Sequence, residues 1–314
     1  MDLFNYSRRE SSEVNIGATP LGGNNPIRIQ SMTNTVTMDT EACVEQAKRI
    51  IDAGGEYVRL TTQGVREAEN LKNINIGLRS QGYDTPLVAD VHFNPKVADV
   101  AAQYAEKVRI NPGNYVDPGR TFRKLEYTDE EYAQEIEKIR ARFIPFLNIC
   151  KENHTAIRIG VNHGSLSDRI MSHYGDTPEG MVESCMEFLR ICVAEHFNDV
   201  VISIKASNTV VMVRTVRLLV QEMEKEGMAF PLHLGVTEAG DGEDGRIKSA
   251  LGIGALLADG LGDTIRVSLS EAPENELGKD ILLFLEKKLR SSTTYLRGAG
   301  RLRLSETLEE IIFP

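Results

Sequence analysis

The sequence lacks the features of several protein classes. No stretch of its 314 residues is long and apolar enough to cross a membrane. The polar segment 1–13, which carries Arg8 and Arg9, has no apolar centre of the kind that a secretory signal needs. Positive charge is scarce, because 36 Lys and Arg face 46 Asp and Glu and leave a net charge of −10. This balance disfavours a nucleic-acid-binding surface, so we expect a cytoplasmic protein with no membrane and no nucleic acid among its partners.

Cysteine is too sparse to suggest a covalent or metal framework. The four cysteines, Cys43, Cys150, Cys185 and Cys192, form no C-x-x-C pair. Cys185 and Cys192 are seven residues apart on a predicted helix and would share one of its faces, which is typical of small buried residues. We expect no metal site built by this chain.

The sequence does contain a regular alternation of short β-branched runs and amphipathic helical stretches. Eight runs have the composition of strands: Ile27–Ser31, Tyr57–Thr61, Leu87–Asp90, Val108–Ile110, Ala156–Gly160, Val200–Lys205, Leu232–Gly235 and Thr264–Ser268. Helical patterns lie between them: Thr40–Ala53, Val65–Ser80, Pro95–Tyr104, Glu131–Lys151, Met181–His196, Thr209–Gly227 and Asp244–Asp259. Eight strand–helix units in roughly 250 residues predict a (β/α)₈ TIM barrel, an α/β fold, with a doubly wound open sheet as the alternative.

The pattern changes after residue 270. We predict a barrel domain over residues 1–270, followed over 271–314 by a linker and the start of a further domain that this chain does not complete. Within the second segment, Lys279–Arg290 has the pattern of an amphipathic helix.

Positive charge, although scarce overall, is concentrated where a barrel places its active site, at the C-terminal ends of the strands. Five of the predicted strands carry a cation near this end: Arg59, Arg109, Arg158, Lys205 and Arg266. The four arginines lie between apolar or β-branched neighbours, so the alternation of strand side chains turns them toward the barrel mouth. Two nearby carboxylates, Asp90 and Glu238, can pair with only some of the cations.

The surplus of cations predicts an anionic ligand. A buried cation is costly unless it is paired, and guanidinium groups match phosphate oxygens in a bidentate way. A single arginine at a strand end is more often part of a structural ion pair, but five cations in an acidic chain favour a phosphate or diphosphate site. Asp90 and His92 could ligate a metal, although a hydrogen-bonded pair is favoured. Lys205 could form a Schiff base, although a phosphate contact is favoured.

At these strand ends the sequence resembles the 4-hydroxy-3-methylbut-2-enyl diphosphate synthases of the non-mevalonate isoprenoid pathway. The matching segments run through the whole barrel in order: QSMTNT (30–35), VADVHF (88–93), RINPGN (109–114), IRIGVNHGSL (157–166), KAS (205–207), PLHLGVTEAG (231–240) and GDTIRVSL (262–269). Two further segments, 124–132 and 167–172, resemble the longer three-domain form of these enzymes. The barrel of this family is also similar to that of dihydropteroate synthases.

The resemblance implies an oxidoreductase, with a substrate and a set of site residues. The substrate would be 2-C-methyl-D-erythritol 2,4-cyclodiphosphate, whose ring is opened by two electrons with loss of water. Matching positions would hold the diphosphate: Arg109, Arg158, Asn162, Lys205 and Ser268. Others would line the same mouth: Arg59, Asp90, His92 and Arg266. Glu238 would give or take a proton near the departing hydroxyl.

The resemblance also implies a [4Fe–4S] cluster, held by three cysteines and a glutamate in a C-terminal domain. The four cysteines here do not fit that pattern, so we expect the iron–sulfur domain, and the cluster ligands with it, to be absent from this chain. The chain would then bind the cyclic diphosphate without reducing it, and ferredoxin or flavodoxin would be the electron donor of the full-length enzyme. The sequence allows a homodimer without indicating one.

Three other functions stay open at this point. A transferase of the dihydropteroate synthase type also uses a barrel mouth and a diphosphate, but it needs a pterin pocket. An aldolase would use Lys205 to form a Schiff base with a carbonyl substrate. A binding module without catalysis is the third.

Overall fold

The computed structural model describes residues 6–117, 125–240, 242–275 and 277–283. It contains eight parallel strands: β1 (Arg28–Met32), β2 (Tyr57–Thr62), β3 (Leu87–Val91), β4 (Lys107–Ile110), β5 (Ala156–Asn162), β6 (Val200–Lys205), β7 (His233–Leu234) and β8 (Thr264–Ile265). They are hydrogen-bonded in the order β6-β5-β4-β3-β2-β1-β8-β7. A parallel bridge between Ile202 of β6 and Leu232 joins the two ends of this sheet. The predicted TIM barrel is confirmed.

Helices follow the strands and cover the outside of the barrel. They are α1 (Thr40–Asp52), α2 (Val65–Arg79), α3 (Pro95–Ala101), α4 (Pro112–Tyr115), α5 (Asp129–Asn153), α6 (Asp168–Tyr174), α7 (Pro178–Ala194), α8 (Thr209–Lys225) and α9 (Gly242–Ala258). Side-chain caps fix where several of them begin, because they satisfy the first free backbone N–H groups. Asp39 accepts from the amide of Ala42 at the start of α1, and Thr128 with Glu131 forms a capping box on α5. Among the described residues, no helix has both the length and the apolar composition needed to span a membrane.

The predicted elements differ from the structure mainly at their ends. The strands β7 and β8 are two residues each, shorter than predicted, and they end before Gly235 and Arg266. The short helices α4 and α6 were not predicted, since each is too brief to show a helical period. Of the predicted helix Lys279–Arg290, only residues 279–283 are described, and these are helical; the rest lies outside the described residues.

The division of the chain at residue 270 stays a prediction. Part of the predicted linker packs on the barrel: the backbone carbonyl of Pro273 accepts a hydrogen bond from Ser31, at 2.9 Å, and the side chain of Leu277 is buried. Pro273 and Leu277 therefore add to the outer wall of the barrel, Pro273 beside β1.

The barrel has two separate apolar regions, and their positions explain where the polar site lies. Outward-facing strand residues pack with the helices in one large cluster. Inside the barrel, a second apolar cluster lies at the N-terminal end, where strand residues meet the N-terminal segment: Val14, Ile16, Leu21, Tyr57, Val88, Ala156 and Val201. We call this second cluster the floor.

The floor is closed by a tight turn of the N-terminal segment. Val14 and Leu21 pair in an antiparallel bridge, and the turn ends at Gly22, where φ is +77°. A Cβ at Gly22 would lie 2.1 Å from the carbonyl oxygen of Ser12, so only glycine fits there. The strand side chains that point inward above the floor are mostly polar, and they form the candidate site.

Candidate anion-binding site in the barrel mouth

A cavity of about 110 Å³ lies inside the C-terminal end of the barrel. Seven of its lining residues belong to the predicted site: Arg59, Arg109, Arg158, Asn162, Lys205, Arg266 and Ser268. Three further residues line it that the sequence did not single out: Ser203, Val236 and Thr237. Ser203 lies two residues before Lys205 on the same strand, so side-chain alternation could have placed it in the mouth.

The strand alternation that predicted inward-pointing arginines is present in the structure. On β2, Arg59 lines the cavity while its neighbours Val58 and Leu60 belong to the outer apolar cluster. The same holds on β5, where Arg158 points inward between Ile157 and Ile159. Arg158 is 1% exposed, so the cation is fully removed from bulk water.

Asp90 is the carboxylate that organises this cluster. Its side chain is fully buried, and it accepts hydrogen bonds from Arg59 and, at 3.2 Å, from Nη1 of Arg109. Nη2 of Arg158 lies 4.0 Å away and Nε2 of His92 lies 3.6 Å away. Burial opposes the charge on this carboxyl, but the guanidinium groups of Arg59 and Arg109 hold the pKa of Asp90 well below its usual range. The carboxylate therefore fixes the arginines in place.

The positive charge in the mouth exceeds what Asp90 can balance. Burial and the neighbouring Arg59 lower the pKa of Arg158 well below its usual range, and its Nε and Nη1 atoms have no hydrogen-bond partner. Burial and Arg266 lower the pKa of Lys205 in the same direction. Buried donors without partners are costly, and an oxyanion in the cavity would satisfy them. The unsatisfied donors of Arg158 therefore favour an anionic ligand in the mouth.

Gly160 gives Arg109 the room to lie across the mouth. Nη2 of Arg109 donates to the carbonyl of Gly160 at 2.8 Å, and a Cβ on Gly160 would lie 2.5 Å from Nε of the same arginine. A side chain on this inward position of β5 would push the guanidinium away from both Asp90 and the cavity.

We expect Gly160→Ala to weaken diphosphate binding about 10-fold, because one charge-assisted contact of Arg109 is misplaced. Gly164→Ala is the matched control, since no atom lies within 4 Å of the added Cβ. Isothermal titration of both variants with the same diphosphate measures the effect. Equal affinities for the two variants would contradict this placement of Arg109.

Three predicted site residues do not line the cavity: Asp90, which lies behind the arginines, His92 and Glu238. His92 is partly exposed beside Asp90, and burial lowers its pKa. Glu238 is exposed on the loop between β7 and α9, next to the lining residue Thr237. Its φ of +54° is unusual for a residue other than glycine, and such strained backbone recurs at functional sites. The catalytic role of Glu238 stays a prediction.

The described residues do not fit an iron–sulfur cluster or another metal. Cys43 lies in α1, Cys150 in α5, and Cys185 and Cys192 in α7; all four are buried and free. Burial raises the thiol pKa of each, which disfavours the thiolate that a cluster needs. Within the described ranges, no group of three or more His, Cys, Asp and Glu could hold a metal ion.

The fold and the mouth together define a class: a (β/α)₈ barrel domain with a cationic pocket at the C-terminal ends of its strands. The family model of the GcpE TIM-barrel domain matches residues 11–279. The chain belongs to this family.

Curated relatives share the sequence of the barrel but are longer. A Phocaeicola vulgatus protein named 4-hydroxy-3-methylbut-2-en-1-yl diphosphate synthase (flavodoxin) is 99% identical over 277 residues, which cover 88% of this chain and 45% of that protein. An Oryza sativa protein with the same enzyme name, qualified as ferredoxin-dependent and chloroplastic, is 48% identical over 324 residues, covering 98% of this chain and 44% of that protein. The chain spans about half the length of the curated relatives it matches.

Solved structures share the fold. A Yersinia pestis dihydropteroate synthase, crystallised with a sulfonamide drug, superposes with a TM-score of 0.53 at 13% identity, over 89% of this chain and 100% of that one. A truncated 3-deoxy-D-arabino-heptulosonate 7-phosphate synthase from Thermotoga maritima gives 0.51 at 12% identity, over 90% and 93%. The predicted similarity to dihydropteroate synthase barrels is confirmed at the level of fold.

Proposed function

We propose that this chain is the substrate-binding barrel of a 4-hydroxy-3-methylbut-2-enyl diphosphate synthase, and that its mouth holds the diphosphate of 2-C-methyl-D-erythritol 2,4-cyclodiphosphate. The observation that carries the proposal is the cavity lined by the buried cations of Arg59, Arg109, Arg158 and Lys205, of which Asp90 can balance only part. The names of the relatives support the choice of this diphosphate over others.

The lining residues suit different parts of this task. The unpartnered Nε and Nη1 atoms of Arg158 offer two donors, on different sides of the guanidinium group, to phosphate oxygens, and Lys205 adds a point charge from the next strand. Asn162 and Ser268 bring neutral donors to the same cavity. Because Arg109 is already held by Asp90 and by the carbonyl of Gly160, little ordering is needed when the ligand binds.

The reaction itself needs more than this chain offers. Opening the ring takes up two electrons, cleaves a carbon–oxygen bond at the ring and releases a hydroxyl as water. We propose that Glu238, beside the cavity on its strained loop, supplies the proton for that water. A flavodoxin or ferredoxin, as in the names of the relatives, would provide the electrons through a part of the enzyme outside this chain.

Calorimetric titration tests the proposal directly. The chain is expected to bind the cyclic diphosphate, and to show no turnover with a chemical reductant. Glu238→Gln is expected to bind as tightly as the wild type, because Glu238 lies outside the cavity, but to abolish turnover when placed in the full-length enzyme. Binding of a pterin in preference to the cyclic diphosphate, or turnover by this chain alone, would refute the proposal.

The lowered pKa of Lys205 supports one alternative function, that of a Schiff-base aldolase. A lysine that loses its proton easily can attack a carbonyl group and form a Schiff base. Borohydride reduction in the presence of a carbonyl substrate would trap such an adduct on Lys205.

A cytoplasmic location and a homodimer remain predictions.

A further inference from the structure

One further cation, Lys107, lies deeper in the barrel than the cations that line the mouth. Lys107 begins β4, two residues before Arg109, and its side chain is fully buried. Its Nζ lies 4.1 Å from the centroid of the Tyr57 ring and has no hydrogen-bond partner. In the sheet register Lys107 pairs with Val88 and Ala156, both members of the floor. Lys107 is thus a fully buried lysine whose Nζ meets an aromatic ring and no hydrogen-bond acceptor.

The ionisable groups that face Lys107 are mostly positive. Arg59 on β2 and Arg158 on β5 repel its charge. Burial and the same two arginines also lower the pKa of His233 on β7. The hydroxyl of Tyr57 is occupied as a donor to the carbonyl of Thr19. The N-terminal segment contributes the apolar side chains of Val14, Ile16 and Leu21 to the floor.

No carboxylate among the described residues offsets the charge of Lys107. Asp90, on β3, is the carboxylate that reaches the cations of the barrel interior, and its oxygens are engaged by Arg59 and Arg109. Burial, followed by Arg158 and Arg59, lowers the pKa of Lys107 well below its usual value. The protonated form of Lys107 is therefore disfavoured most when no anion occupies the mouth.

We propose that Lys107 is neutral in the empty barrel and takes up a proton when a diphosphate occupies the mouth. This inference rests on the proposed function, since it needs an anion in that cavity. Lys107 does not touch the ligand; it is a positioning residue that acts through Arg158 and Arg59. The ligand's negative charge offsets the repulsion from these two arginines, and the Tyr57 ring then stabilises the new ammonium group.

The direction of the pH effect follows from this coupling. An anion in the mouth raises the pKa of Lys107, so the bound state holds more protons than the empty state between the two pKa values. Binding should therefore tighten as the pH falls through that interval. A variant with an apolar side chain at position 107 should lose this part of the pH dependence.

Calorimetry with 2-C-methyl-D-erythritol 2,4-cyclodiphosphate can count the protons. This cyclic ester is fully ionised at neutral pH, so it neither supplies nor takes up protons itself. Titrations at one pH, in buffers with different heats of ionisation, give the number of protons taken up on binding. From about pH 6 to about pH 9, we expect Lys107→Met to take up fewer protons than the wild type, by up to one. Its dissociation constant should approach the wild-type value at high pH.

His233→Gln is the matched variant, because His233 is buried in the same interior and faces the same arginines. It should keep the wild-type proton count. Equal counts in the wild type and Lys107→Met, or loss of uptake in His233→Gln instead, would overturn the inference alone. Failure of the wild type to bind the ligand would overturn the proposed function as well. If Lys107→Met does not fold, the ¹⁵N shift of the lysine Nζ in the wild type, with and without ligand, decides the same question.

Discussion

Replacing Arg158 with methionine is expected to weaken binding of the cyclic diphosphate about 100-fold or more and to stabilise the empty protein. The loss of affinity follows from two charge-assisted hydrogen bonds, each worth about 1.5–3 kcal/mol. The gain in stability follows because Arg158 is fully buried, is repelled by three other arginines, and reaches Asp90 only at 4.0 Å. Methionine keeps much of the volume without the charge, so the free energy of unfolding should rise by about 1–4 kcal/mol.

Two measurements on the same variant check this opposition. Titration calorimetry gives the affinity, and urea unfolding without ligand gives the stability. Arg190→Met is the control, since Arg190 is 43% exposed and pairs with Glu183 and Glu226 on the surface. It should change neither the affinity nor, by more than about 1 kcal/mol, the stability. A less stable Arg158→Met that still binds would contradict the anion site.

Replacing Asp90 with asparagine is expected to destabilise the barrel by about 3–5 kcal/mol, the cost of removing one partner from a buried ion pair. Arg59 and Arg109 would lose the one carboxylate that both contact. Inorganic pyrophosphate should restore more stability to this variant than to the wild type, because it supplies the missing negative charge. Thermal unfolding with and without pyrophosphate measures both effects.

The pH dependence gives an independent check on Asp90. Burial acts to raise the pKa of Asp90, but Arg59 and Arg109 outweigh this effect and hold the pKa well below its usual range in the folded protein. The stability that it contributes is therefore complete above the unfolded pKa and is lost as the pH falls below about 4. The wild type should lose stability more steeply than Asp90→Asn in this range. Parallel curves would show that Asp90 is not ionised in the fold.

The sequence was sufficient to predict the architecture and most of the mouth. Hydrophobic alternation indicates which face of a strand a residue occupies, so the sequence alone assigns Arg59 and Arg158 to the barrel interior. The concentration of cations in an acidic chain then indicated the class of ligand. The segments matched to a known family narrowed that class to one diphosphate.

What the sequence could not supply was depth along the barrel axis. Alternation treats Lys107 and Arg109 alike, yet one lies against the floor and the other lines the cavity. The difference depends on the stagger between strands and on the N-terminal segment, whose contacts with the floor are distant in sequence. The exposed position of Glu238 depends likewise on the loop conformation, in which this residue has a positive φ that its residue type does not predict.

The floor has a consequence for the order of events at the site. The side chains of Val14, Ile16 and Leu21 are fully buried against strand residues at the N-terminal end, so the polar interior communicates with solvent through the mouth. A molecule held there must leave by the route along which it arrived. A second anion can then enter only after the first has left, and two phosphate-type ligands compete directly for the same cations.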